Sequence, residues 1–124
     1  MPASTKKILI AEDERALANA LKLKLEKAGF KATIAFDGLA AIESLKTERF
    51  DLLLLDLLMP KADGFQVLSA IKEQKKNIPT IILSNSSQAQ DEKKARELGA
   101  IAFYIKSDIA LSSLVEKIKG VINA

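Results

Sequence analysis

The sequence contains neither cysteine nor histidine. Without cysteine, the chain cannot form disulfides, thiolate metal sites or a cysteine nucleophile. Without histidine, it lacks imidazole bases, imidazole metal ligands and any residue that could itself carry a phosphohistidine. Chemistry in this chain must therefore use carboxylates, lysine, hydroxyl groups and the backbone.

Long apolar runs are also missing. No stretch approaches the roughly 18 residues that a membrane span needs, and the N-terminal MPASTKK lacks the apolar segment of a signal peptide. The 124 residues suit one domain, and a hydrophobic fraction of 48% is enough for one core. We therefore expect one soluble, cytoplasmic domain over residues 1–124, with its core at 6–122 and no second domain.

Charge of one sign is not in large excess. The 19 basic and 16 acidic residues give a net charge of +3, and only six aromatic residues are available to stack on bases. The basic residues occur singly or in pairs among acidic ones, which is typical of a solvated mixed-charge surface. The composition thus predicts no direct binding to nucleic acid and none to membranes.

Five short apolar segments alternate with segments of helical period. The predicted strands cover residues 8–11, 31–36, 52–55, 80–83 and 101–105. The third is a run of four leucines, typical of a strand buried on both faces, whereas the second is the least apolar and suits an edge. Strict alternation predicts an α/β fold of the flavodoxin-like kind: a five-stranded parallel sheet in the order 2-1-3-4-5 with helices on both faces. The fourth helical segment, 88–98, has few apolar residues and should pack most weakly.

Polar side chains follow the predicted strands at their carboxyl ends, where open parallel sheets place functional sites. They are Glu12, Asp13 and Glu14; Asp56; Ser84, Asn85, Ser86 and Ser87; and Lys106, Ser107 and Asp108. Asp13 and Ser87 (with Gln90) also fit helix caps, and Lys106 fits a solvated lysine. Asp56 is harder to explain structurally, because a charge directly after four buried leucines needs compensation.

Glu12, Asp13 and Asp56 would form an acidic group that suits a divalent cation. Three neighbouring carboxylates raise one another's pKa, and a hard cation relieves that repulsion. Mg²⁺ is the natural choice, because it keeps several waters and accepts phosphate oxygens as ligands. Asp56 is then the best nucleophile for a phosphoryl group, and Lys106 and Ser84 would hold the other phosphoryl oxygens.

Four motifs resemble those of the receiver domain of two-component response regulators, in particular the chemotaxis-type single-domain receivers. In chain order they are ILIAEDE, LLLLDLLMPKADG, TIILSN and FYIKS, and the resemblance extends over residues 6–122. It implies that Asp56 is the phosphoacceptor and that Lys106 binds the phosphoryl group. It further implies that Asp13 and Asp56 bind Mg²⁺ directly with the backbone carbonyl of Leu58, and that Glu12 acts through water.

The resemblance also implies partners and a switch. The donor would be a sensor histidine kinase or a phosphotransfer protein, and the domain would catalyse only its own phosphorylation and autodephosphorylation. Ser84 would be the switch hydroxyl and Phe103 the switch aromatic residue, with Tyr104 facing the other way. The fourth helix, fifth strand and fifth helix would then present a face to a downstream protein or a missing output domain. The domain itself would be a monomer or a weak dimer through that face.

The sequence departs from the family pattern at three positions. Ser107 stands where proline usually follows the lysine, and we expect a trans bond there because the cis form costs about 2.5–4 kcal/mol. Asn85 replaces a small residue and is expected to narrow access to Asp56. Phe103 lacks the hydroxyl of the more frequent tyrosine, so it cannot hydrogen-bond a partner.

Three other functions fit the sequence less well. A receiver-shaped interaction module that works without phosphorylation would have no use for the complete acidic set. An aspartate-nucleophile phosphatase would need a second aspartate two residues after the nucleophile, where Leu58 stands. Nucleotide or flavin binding is disfavoured because neither glycine-rich phosphate motif occurs.

Overall fold

The structure is a computed structural model that describes residues 5–123, and its strands and helices alternate along the chain. Within this range the strands are β1 (Lys7–Ala11), β2 (Lys31–Ala35), β3 (Leu52–Leu55), β4 (Thr80–Ser84) and β5 (Ala102–Ile105). The helices are α1 (Arg15–Lys27), α2 (Gly38–Thr47), α3 (Gly64–Glu73), α4 (Ala89–Glu97) and α5 (Leu111–Ile122). The predicted strands are confirmed, with ends that differ by at most one residue. None of the described helices is long and apolar enough to cross a membrane.

The strands form one parallel sheet in the order β2-β1-β3-β4-β5. This confirms the predicted α/β architecture and the edge position of β2. Since every strand runs in the same direction, the residues that follow β1, β3, β4 and β5 reach the same edge of the sheet.

The core has two layers, one on each face of the sheet. Leu53 and Leu55 of β3 belong to the layer that includes side chains of α2, α3 and α4. Leu52 and Leu54 belong to the opposite layer, with α1 and α5. All four leucines are at most 2% exposed, which explains why β3 reads as a continuous apolar run instead of an alternating one.

Helix α4 buries the fewest side chains of the described helices. Only Ala95 is buried, whereas each of the other four helices buries three or four residues. This confirms the predicted weak packing.

The alternative role of Ser87 as a capping-box residue is wrong, because the N-cap is Gln88 and no side chain caps it. Ser86 organises this turn: its hydroxyl accepts from the Gln88 N–H at 3.3 Å and donates to the Asp91 carboxylate.

The loop from β3 to α3 lies closely against the start of α2. The Gly38 N–H donates to the Pro60 carbonyl at 3.3 Å, and a Cβ added to Gly38 would lie 1.9 Å from the Ala62 oxygen. A Cβ on Gly64 would lie 2.7 Å from the Asp56 carbonyl oxygen. Two glycines thus permit the close approach that positions the segment following Asp56.

Candidate functional site

The ends of β1 and β3 bring two buried carboxylates together. Ala11 is in register with Leu55, so the residues that follow them, Glu12 and Asp56, lie side by side at the ends of the two strands. The Asp56 N–H donates to the Ala11 carbonyl at 3.0 Å, which extends the strand pairing by one residue. Glu12 is 2% exposed and Asp56 is 4% exposed, although both are acidic.

Asp13 completes a group of three carboxylates. One carboxylate oxygen from each of Glu12, Asp13 and Asp56 lies within 4.8 Å of the others. Asp13 is exposed, so the group opens to solvent on that side. The three residues that the sequence pattern linked to a cation are therefore neighbours in space.

Lys106 lies at the centre of the negative charge. Its Nζ is 2.8 Å from Glu12, 2.9 Å from Glu14 and 3.2 Å from Asp56, measured to carboxylate oxygens. Its side chain is only 9% exposed, so the alternative of a solvated surface lysine is wrong. Lys106 begins a 3₁₀ turn (Lys106–Asp108), and the following peptide bond is trans, as predicted.

Glu14 is the site residue to which the sequence analysis gave no role. It is the N-cap of α1, yet its side chain makes no hydrogen bond to that helix. Its carboxylate binds Lys106 instead, and its N–H donates to Glu12 at 3.0 Å. The alternative role of Asp13 as the helix cap is wrong, because Glu14 occupies that position. Glutamate is unusual at an N-cap, where Ser, Thr, Asp and Asn are preferred. This was the one feature of the sequence that could have indicated another role for Glu14.

Burial dominates the electrostatics of the two carboxylates. It raises the pKa of Glu12 from 4.5 to about 7, even though Lys106 and the Glu14 N–H both favour the charged form. Burial also raises the pKa of Asp56, against the opposing charge of Lys106. Burial alone would lower the pKa of Lys106, but hydrogen bonds to Glu12 and Glu14 and the charge of Asp56 raise it above its ordinary value.

These shifts predict the pH dependence of stability in a chelator-containing buffer. Between about pH 4.5 and pH 7, the folded state holds a proton on Glu12 that the unfolded chain has released. The free energy of unfolding should therefore fall as pH rises through this window, by roughly 3 kcal/mol for Glu12 if nothing else compensates. The raised pKa of Asp56 acts in the same direction. Lys106 stays protonated in both states here, so it adds no slope.

Urea unfolding at pH 5 and pH 7.5 measures this difference. Glu12→Gln should flatten the dependence, because it removes the titrating group while keeping its size. Glu26→Gln on the exposed surface of α1 is the matched control and should keep the wild-type slope. A wild-type protein that is more stable at pH 7.5 than at pH 5 would contradict the assignment.

The switch candidates lie on β4 and β5. Ser84 is fully buried, and its hydroxyl oxygen accepts from the Ser86 N–H at 3.1 Å. Phe103 packs against the core layer of α2, α3 and α4, whereas Tyr104 packs against that of α1 and α5. The prediction that these two rings face opposite ways is therefore confirmed. Asn85 is exposed directly after Ser84.

Leu58 follows Asp56 by two residues and is turned outward. Its N–H donates to an Asp56 carboxylate oxygen at 3.3 Å, which helps to orient the carboxylate. Its side chain is an exposed apolar group, with 66% of the residue accessible. The segment after β3 therefore presents backbone to Asp56 and an apolar side chain to solvent.

Two curated relatives align with most of this chain. The alkaline phosphatase synthesis transcriptional regulatory protein PhoP of Bacillus subtilis (strain 168) is 35% identical over 101 residues, which are 82% of this chain and 42% of PhoP. The transcriptional regulatory protein DltR of Streptococcus agalactiae serotype III (strain NEM316) is 35% identical over 100 residues, 81% of this chain and 45% of DltR. The chain thus spans less than half the length of either relative.

Solved receiver structures match almost the whole chain. The Francisella response regulator 1452 receiver domain superposes with a TM-score of 0.90 and 28% identity, covering 96% of this chain and 98% of that one. A CheY-like receiver domain protein from Methanospirillum hungatei JF-1 gives a TM-score of 0.89 and 27% identity, covering 97% and 95%.

The site residues all lie within the part of the chain that matches a known protein family. The model of the response regulator receiver domain matches residues 8–119, which include all of the carboxylates and the lysine described above. The chain therefore belongs to the response regulator receiver domain family.

Proposed function

We propose that this domain is a phosphoacceptor in two-component signal transduction, in which a sensor histidine kinase or a phosphotransfer protein phosphorylates Asp56. The observation that carries the proposal is the buried Asp56 carboxylate, held 3.2 Å from the Lys106 ammonium. In the transfer, the P–N bond of the donor's phosphohistidine breaks, a P–O bond to Asp56 forms, and the imidazole leaves. These 124 residues contain no histidine, so the phosphohistidine must come from outside them.

The acidic group fits a hard divalent cation. Only one ammonium group, that of Lys106, lies among the four carboxyl groups of Glu12, Asp13, Asp56 and Glu14, so the carboxyl groups outnumber the cation that they share. We propose that Asp13 and Asp56 bind Mg²⁺ directly with the Leu58 backbone carbonyl, and that Glu12 binds it through water. When bound, Mg²⁺ offsets the negative charge that develops on the phosphoryl oxygens.

Lys106 and Ser84 are the proposed ligands of the phosphoryl oxygens. The Lys106 ammonium already lies beside the Asp56 oxygen, so it can contact an oxygen of a group attached there. The Ser84 hydroxyl uses its oxygen to accept from Ser86, which leaves its O–H free to donate. Donors that are positioned before the reaction cost little reorganisation during it.

The proposed output is a change in the face formed by α4, β5 and α5. Movement of Ser84 toward the phosphoryl group would open space for Phe103, which is only partly buried. Helix α4 buries a single side chain, so little apolar contact is lost when the helix moves. The altered face would bind a downstream protein or a missing output domain. Its use for weak dimerisation and the cytoplasmic location stay predictions.

The test is phosphorylation by acetyl phosphate in the presence of Mg²⁺. Intact-mass measurement should show an acid-stable, alkali-labile phosphoryl gain on the wild type and none on Asp56→Asn. Asp108→Asn, a nearby exposed aspartate, is the matched control and should be phosphorylated like the wild type. Self-catalysed acceptance and autodephosphorylation are the only reactions proposed, so no turnover of other phosphorylated substrates is expected.

Two results would contradict the proposed role of Asp56 as the phosphoacceptor. A folded wild type that gains no phosphoryl group would favour the alternative of an interaction module that works without phosphorylation. Equal labelling of Asp56→Asn would move the acceptor to another residue. Amide shifts in α4 and around Phe103 on adding beryllofluoride, a phosphoryl mimic, test the output separately.

A further inference from the structure

The Lys106 ammonium is shared among three carboxylates, and only one of them is exposed. The Glu14 side chain is 54% exposed, whereas those of Glu12 and Asp56 are buried. We propose that Glu14 is a positioning residue that holds Lys106 before phosphorylation and competes with the phosphoryl group for it. The inference rests on the proposed phosphorylation of Asp56.

The competition follows from the number of protons on the lysine. An ammonium group has three N–H donors, and Glu12, Glu14 and Asp56 supply three acceptors at 2.8, 2.9 and 3.2 Å. The site has no spare donor on Lys106 for an arriving phosphoryl oxygen. The contact with Asp56 weakens when the P–O bond forms, because the acyl oxygen of the phosphorylated residue is neutral. The phosphoryl oxygens then compete with Glu12 and Glu14 for the ammonium.

Glu14 is the contact that can be lost most easily. Glu12 is buried, and losing its cation would leave it unpaired in a poorly solvated site, which is strongly unfavourable. A half-exposed carboxylate is instead rehydrated when it leaves. Glu14 also sits at the N-cap of α1, where the positive end of the helix dipole favours a free carboxylate.

The local structure supports a role outside helix capping. The Glu14 side chain does not cap α1 although it occupies the capping position, and it binds a lysine 92 residues away. Its N–H holds Glu12, so the backbone of Glu14 keeps the neighbouring carboxylate in place even if the side chain moves. Exchange of the Glu14 side chain for a phosphoryl oxygen therefore leaves the acidic group intact.

The consequence is that Glu14 disfavours the phosphorylated state. It occupies Lys106 and adds a negative charge that the phosphoryl group must approach. Glu14→Gln should keep the shape of the side chain while weakening the contact, because hydrogen bonds to a neutral oxygen are about half as strong. Glu14→Asp should retain the charge but shorten the reach to Lys106.

Beryllofluoride binding and phosphorylation by acetyl phosphate test the proposal at saturating Mg²⁺. We expect Glu14→Gln to bind beryllofluoride about two- to five-fold more tightly than the wild type, the range expected for one half-exposed ion pair. Glu14→Asp should show most of the same gain. Glu26→Gln on α1 is the matched control and should equal the wild type. A Glu14→Gln variant that binds like the control, or a Glu14→Asp variant that binds like the wild type, would overturn the competition for Lys106.

A second measurement separates this inference from the proposed function. The side-chain NMR signals of Lys106 (Hε and Nζ) in the unphosphorylated, chelator-treated protein should shift in Glu14→Gln but not in Glu26→Gln. Unchanged Lys106 signals would overturn the contact even if Asp56 is phosphorylated normally. If the Lys106 signals shift in Glu14→Gln but the wild type acquires no phosphoryl group, the contact between Glu14 and Lys106 is supported and the proposed function is wrong.

Discussion

Replacing Gly38 by alanine is expected to lower the free energy of unfolding by about 2 to 4 kcal/mol, at or somewhat above the usual cost of overpacking. The added Cβ would lie 1.9 Å from the Ala62 carbonyl oxygen and 2.5 Å from its carbonyl carbon. Both are backbone atoms, so no side-chain rotation can relieve the contact. Either α2 or the loop after β3 must move. Urea unfolding of wild type and variant measures the loss.

Gly120→Ala is the matched control for Gly38→Ala. A Cβ on Gly120 meets nothing within 4 Å, and the residue lies inside α5. Alanine there should raise the free energy of unfolding by about 0.5 to 1 kcal/mol, because glycine is a poor helix former. Equal stability of the two variants would contradict the close packing of α2 against the loop.

The Gly38 variant also links packing to the proposed chemistry. The loop that α2 contacts begins directly after Asp56 and includes Leu58, whose N–H orients the Asp56 carboxylate. Displacement of the loop should therefore slow phosphorylation by acetyl phosphate even at a temperature where the variant is fully folded. Gly120→Ala should leave that rate unchanged.

Replacing Lys106 by methionine is expected to destabilise the protein by about 3 to 5 kcal/mol at pH 7.5 in chelator. Methionine keeps the apolar stem but removes the charge, which leaves Glu12 and Asp56 buried without a cation. At pH 5 the loss should shrink, because Glu12, with its pKa raised to about 7, is then largely protonated. Urea unfolding at the two pH values measures both effects.

The same variant should slow phosphorylation of Asp56 by about 10²- to 10³-fold, the usual effect of removing one positioned donor to a developing anion. Lys117→Met, at an exposed lysine on α5, is the matched control and should change stability by at most about 0.5 kcal/mol. An equal loss of stability at both pH values would assign the effect to packing instead of charge.

Much of the fold was predictable because the apolar pattern changes period at each strand and helix. The leucines of β3 and the alternation of segments were enough to predict the sheet order that the structure has. The orientations of Phe103 and Tyr104 followed from strand alternation alone. The start of α4 was predicted one residue early, because Ser87 matched a cap pattern while Ser86 makes the actual hydrogen bonds.

The candidate site was predictable in composition but not in its ion pairs. Glu12, Asp13 and Asp56 come at strand ends that a parallel sheet places on one edge, so their proximity follows from topology. For Glu14, only the unusual residue type at a helix N-cap indicated that it belongs to the site. Its contact with Lys106 depends on how far two long side chains reach across the sheet edge, which no local pattern encodes.

By itself, the sequence determined the order of strands and helices, the two-sided burial of β3, and the absence of any cysteine or histidine nucleophile within these residues. These properties depend on residue type and on short-range periodicity. Only the tertiary structure decided which carboxylates share Lys106, how strongly burial raises the pKa of Glu12, and that Gly38 must lack a side chain. The physical reason is that desolvation, ion pairing and close backbone contact depend on distances between residues far apart in the chain.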